Sequence, residues 1–84
     1  MRFAVRVEVR HKDGVADPQG ATIERALPTL GFDHIQHVSV GKSIRFEIEA
    51  ADEAAARAEV DDVVGRFLTN PVIEDSDVLV EVVG

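Results

Sequence analysis

Near neutral pH, the side chains of this sequence best suited to acid–base work are His11, His34 and His37. His34 and His37 differ in parity, so in an extended chain they point to opposite faces and cannot share a metal ion. His11 stands beside Lys12 where a strand should end and reads as a surface loop residue. No two histidines are four residues apart, as a helical metal-ligand pair would require. Asp61-Asp62, Asp75 and Asp77 could be taken for a carboxylate cluster, but helix neighbours at i and i+1 diverge by about 100°. They read as a solvated acidic face. Ser39, Ser43 and Ser76 lack a Gly-x-Ser-x-Gly context and a histidine relay. Gly41-Lys42-Ser43 ends like a phosphate-binding loop, yet the glycine required five positions earlier is Gln36. Arg2, Arg6 and Arg10 share a face with Glu8 and no stacking aromatic, a poor nucleic-acid surface.

The chemistry is therefore thin, and size agrees. At 84 residues and 9.1 kDa the chain is expected to be a single domain, residues 1–84, too small to wall off an active site alone. With 45% hydrophobic and 30% charged residues it should fold around a real core. A formal charge of −7 opposes nonspecific binding to nucleic acid or to an anionic membrane. The absence of cysteine argues against a disulfide-stapled secreted class, and residues 1–10 alternate charge with apolar groups instead of forming a signal peptide. No window approaches the roughly 18 apolar residues of a membrane span. The cytoplasm is the expected compartment.

The elements that would position any site are clearer. Phe3, Val5, Val7 and Val9 alternate with polar residues, which predicts a first strand with one apolar face. Asp17-Pro18 supplies an N-cap and a first-turn proline, and Ile23, Ala26, Leu27 and Leu30 form an apolar stripe, so a helix is expected over about 18–30 with Gly31 at its end. Pro28 should kink it or end it early. From Ile35 to Glu49 the apolar residues Val38, Val40, Ile44, Phe46 and Ile48 are all even-numbered. A two-residue hairpin at Gly41-Lys42 would expose half of them, whereas a three-residue loop or one long strand bent at Gly41 keeps one apolar face. A continuous strand of that length would reach about 50 Å and project into another subunit. Asp52 should cap a second helix with Ala56, Val60, Val63, Val64 and Phe67 buried, ended by Asn70-Pro71. The last strand holds Val78, Val80 and Val82 against Leu79, Glu81 and Val83. Its two-sided apolarity implies a central position or cover by a second chain.

The expected fold is thus α+β, a small two-layer sandwich with an antiparallel sheet and two helices on one face. The order is βαββαβ-like, with the middle strands either two or one long bent strand shared across a dimer.

Four segments carry a family resemblance: Lys12 to Gly20 (KDGVADPQG), Leu30-Gly31-Phe32, Val40-Gly41-Lys42, and Asn70 to Asp75 (NPVIED). In this order and spacing the chain resembles the PurS family, the small subunit of bacterial and archaeal phosphoribosylformylglycinamidine (FGAM) synthase. The resemblance implies a noncatalytic role in de novo purine biosynthesis, in the ATP- and glutamine-dependent conversion of formylglycinamide ribonucleotide to FGAM. It implies self-association as a dimer or tetramer, and partners PurL, the synthetase, and PurQ, the glutaminase, between which ammonia passes. It implies no cofactor in this chain, with ATP and glutamine used by the partners. Asp17, Gln19, Gly20, Gly41, Lys42, Asn70, Pro71 and Glu74 match the family's motifs and are the candidate interface residues. Gln19, Lys42 and Glu74 have no evident local structural duty and are expected to make the contacts. A stand-alone ferredoxin-like sensor or oligomerisation domain is the competing reading, for which the loop before the first helix offers only Gly14.

Overall fold

The computed structural model describes residues 1–83. Strand β1 (Arg2–His11) is central in a three-stranded antiparallel sheet, flanked by β2 (Lys42–Glu49) on one side and β3 (Glu74–Val82) on the other. Helix α1 (Pro18–Ala26) follows β1, and α2 (Glu53–Val63) links β2 to β3. The α+β class, the antiparallel sheet and the two helices are those expected.

Register explains the core. Val5 lies opposite Phe46 and Val80, and Val7 opposite Ile44 and Val78, so the odd-numbered face of β1 meets apolar residues on both flanks. Ala56, Val60 and Val64 of α2 close over that face, and Phe3, Val7, Ala56 and Val60 have no exposed surface. Burying each of the larger side chains contributes about 1.5–3 kcal/mol. The opposite face of the sheet carries Arg2, Arg6 and Arg10, each paired with a carboxylate: Arg2 with Glu47 (3.1 Å), Arg6 with Glu8 (3.3 Å) and Arg10 with Asp77 (2.5 Å).

Helix α2 starts as expected, with Asp52 Oδ1 accepting from Ala55 N–H at 2.8 Å. Its end differs. Residues Val64–Leu68 widen into a π-turn, closed by Thr69 N–H and Oγ1 donating to the Val64 carbonyl (3.0 and 2.9 Å). The wider turn shifts the phase of the stripe, so Leu68 packs on the core while Phe67, expected to be buried, is 81% exposed.

Pro28 acts as anticipated. Helix α1 stops at Ala26, and Pro28–Leu30 form a 3-10 turn ending at Gly31 with φ +93°. The expected burial of the α1 stripe does not occur within the chain: Gly20 is the helix's one buried residue, and Ile23 and Leu30 are 45% and 69% exposed. The cover on the sheet comes from α2. No second middle strand forms either. Residues 35–41 pair with no strand, since His37 sits at φ +60° and Gly41 closes on the Val9 carbonyl, and β2 begins at Lys42 opposite Val9. Strand β3 lies at an edge instead of the centre because β1 takes the middle, and Leu79 stays 45% exposed. No helix among the described residues is long and apolar enough to cross a membrane.

Candidate functional site: a groove where α1 leaves the sheet

The site begins with Asp17. Its Oδ1 accepts from Gly20 N–H at 3.0 Å, the N-cap bond expected from the sequence, and its Oδ2 accepts from Val40 N–H at 2.8 Å. One carboxylate therefore starts α1 and fastens the returning chain to it. Accepting from the Gly20 amide, then from the Val40 amide, holds the Asp17 carboxyl below its ordinary value, with the nearby His11 adding to the effect. Glu24 makes a second fastening from α1, its Oε1 accepting from Val38 N–H at 2.9 Å.

Two glycines permit this closeness. A Cβ on Gly20 would stand 2.5 Å from the Val38 carbonyl oxygen, and one on Gly41 would overlap the Val9 carbonyl. Neither glycine has a positive φ, so the requirement is for space and not for backbone freedom.

These contacts bring the ends of three strands and the start of α1 around a groove lined by Arg10, His11, Gln19, Gly41, Lys42 and Glu74, with Val9 and Val40 as its apolar floor. At about 120 Å³ it is smaller than the roughly 300–1,000 Å³ that encloses an organic ligand. Lys42 forms no ion pair, and Gln19 no side-chain hydrogen bond, with the described residues. Among the described residues no group of three or more His, Cys, Asp or Glu is placed to hold a metal ion.

Of the eight candidates, Gln19, Gly41, Lys42 and Glu74 meet at the groove, and Asp17 and Gly20 build its wall from beneath. Asn70 and Pro71 stand apart, in the turn before β3. There Asn70 Oδ1 accepts from Val72 N–H (3.1 Å), and the Asn70 N–H donates to Glu74 Oε1 at 2.7 Å. Glu74 thus has a local duty that its sequence context does not reveal, bracing the turn while it lines the groove. Sequence reasoning also misses His11. Its Nδ1 is buried without a hydrogen-bond partner among the described residues. A signal for this exists: position 11 continues the inward-facing odd series Phe3, Val5, Val7, Val9, so a polar ring there faces the protein interior and not open solvent.

Comparison with known proteins identifies the family. A family model described as PurS, phosphoribosylformylglycinamidine (FGAM) synthase, matches residues 4–82. The chain is 41% identical to the phosphoribosylformylglycinamidine synthase subunit PurS of Methanothermobacter thermautotrophicus, covering 93% of this chain and 92% of the relative. To the same subunit from Methanocaldococcus jannaschii it is 37% identical, covering 94% and 95%. The solved structure of M. jannaschii PurS superposes with a TM-score of 0.85 at 35% identity, over 98% and 99% of the two chains. A chain of the PurLQS structure from Thermotoga maritima superposes with a TM-score of 0.87 at 32% identity, over 95% and 98%. With its fold and nearly its whole length shared with these proteins, the chain belongs to the PurS family of FGAM synthase subunits.

Proposed function

We propose that this chain, a single PurS-like domain over residues 1–84, is a noncatalytic subunit of FGAM synthase in de novo purine biosynthesis, acting in the cytoplasm. It joins a PurQ-type glutaminase to a PurL-type synthetase, so that ammonia released from glutamine reaches the ATP-dependent amidation of formylglycinamide ribonucleotide. ATP and glutamine are bound by those partners. The observation that carries this reading is the family match across residues 4–82, supported by a neighbour that is part of a PurLQS structure. The groove supplies the contact. Gln19 and Lys42 offer donors that the described residues leave unengaged, and Gly41 lets the chain pass close against the Val9 carbonyl at the groove's base. Asp17 and Gly20 hold the groove's shape, Glu74 lines it, and Asn70 and Pro71 form the turn that Glu74 braces.

The test is sedimentation of the chain with purified PurL and PurQ, with glutamine present. The expected result is one complex containing all three subunits, lost or weakened at least tenfold by Lys42→Glu, an exposed substitution that leaves the fold intact. A complex of PurL and PurQ from which the wild-type chain is absent would overturn the assignment.

A further inference from the structure

The face of the sheet turned away from α2 holds a concavity of about 410 Å³ that plays no part in the proposed function. Its volume lies within the roughly 300–1,000 Å³ of small-molecule sites, and it shares no lining residue with the groove beside α1. Two rows of the sheet build it. In one, Arg6 of β1 stands directly between Arg45 of β2 and Leu79 of β3. In the next, two residues along the strand and about 7 Å away, Ala4 stands between Glu47 and Glu81. The small Ala4 side chain leaves the space that its longer neighbours border.

The charges in these rows do not serve the stability of the chain. Like charges directly opposite one another in an antiparallel pair are destabilising, and Arg6 and Arg45 are such a pair. Arg6 is partly answered by Glu8, through Nε at 3.3 Å, whereas Arg45 forms no ion pair with the described residues. On the other row Glu47 is answered by Arg2 at 3.1 Å, while Glu81 has neither an ion pair nor a side-chain hydrogen bond among the described residues. One end of the concavity therefore presents guanidinium donors and the other a carboxylate acceptor. Leu79, 45% exposed, adds an apolar wall.

We propose that this concavity binds a sugar phosphate, its phosphate held between Arg6 and Arg45 and its hydroxyls donating to Glu81 and Glu47. The two ends choose the ligand class together. A phosphate monoester carries about −1.5 to −2 charges near neutral pH and matches the guanidinium fork, so it turns the repulsion between the two arginines into two attractions. A bare oxyanion meets a chain of charge −7 and the carboxylates of the next row. A ligand whose far end donates hydrogen bonds uses those carboxylates as acceptors, and a pentose bridges the separation between the rows. A simple cation is opposed by the arginine pair.

The experiment is isothermal titration of the full chain, without PurL or PurQ, with ribose 5-phosphate, inorganic phosphate and ribose in turn, so its outcome is independent of subunit assembly. Ribose 5-phosphate should bind with a Kd below about 1 mM, and more tightly than either of the other two. Arg45→Met should weaken it about tenfold or more, as loss of a charged hydrogen-bond partner does. Glu81→Ala should reduce it to the level of inorganic phosphate, although the substitution makes the chain less negative. Both side chains are exposed, so circular dichroism should stay that of the wild type. Arg57→Met, on α2 and outside the concavity, should bind as the wild type does and so separates the site from an effect of net charge. Absence of ribose 5-phosphate binding, inorganic phosphate bound as tightly, or wild-type affinity in Arg45→Met or in Glu81→Ala would each overturn the proposal.

Discussion

Asp17 and Gly20 act together at the start of α1. The carboxylate ties the helix to Val40, and the missing side chain lets the Val38 carbonyl come close enough for the tie to form. In an ordinary helix Gly→Ala stabilises by about 0.5–1 kcal/mol. At position 20 the sign should reverse, because the new methyl meets a backbone oxygen that cannot swing away. Gly20→Ala is therefore expected to lower Tm, while Ala21→Gly, an exposed helix control, lowers it only by the ordinary helix-propensity cost; thermal unfolding followed at 222 nm distinguishes the two. A Gly20→Ala protein as stable as the wild type would remove the steric argument. Asp17 as a cap was legible from Asp-Pro at a helix start. Its bond to Val40, 23 residues away, was not, because nothing local in the sequence announces a tertiary acceptor.

Helix α2 shows how a pattern read correctly at its start can drift at its end. Ala56, Val60 and Val64 fall on the buried stripe at strict helical spacing, and the expectation for them holds. One widened turn then replaces Phe67 by Leu68, with the Thr69 hydroxyl and amide both spent on the Val64 carbonyl. The spacing of apolar residues fits both Phe67 and Leu68, and only the turn's hydrogen bonds decide between them. Phe67→Ser should accordingly change the stability of the single chain by less than about 0.5 kcal/mol, and Leu68→Ala should cost about 2 kcal/mol, as read from urea unfolding. The reverse ranking would mean that the helix continues in regular phase. The middle of the chain was the least legible element. The even-numbered run from Val38 to Ile48 is continuous in sequence, but the Val9 carbonyl under Gly41 and the left-handed backbone at His37 divide it into a tethered segment and a strand.

At the scale of the whole molecule, the scarcity of acid–base side chains and the exposed apolar residues of α1 and its following turn have one explanation. A chain of 84 residues that keeps α1 off its own sheet leaves apolar surface uncovered, and six of its eight candidate residues gather where α1 leaves the sheet and not in an enclosed pocket. Family and element order were readable from short motifs and their spacing, whereas the meeting of six of the eight candidate residues at one groove was not, because it depends on how the strand ends and α1 come together. The placement of α1 off the sheet was not legible either, since an apolar stripe states that it must be covered without stating by what. The central claim is that the chain contributes assembly and no chemistry, and one measurement bears on it most directly. FGAM formation by purified PurL and PurQ is followed with and without this chain, once with glutamine and once with free ammonia as nitrogen source. The account predicts that omitting the chain abolishes the glutamine-driven rate and leaves the ammonia-driven rate within about twofold. A glutamine-driven rate that survives its omission, or an ammonia-driven rate lost with it, would contradict the account.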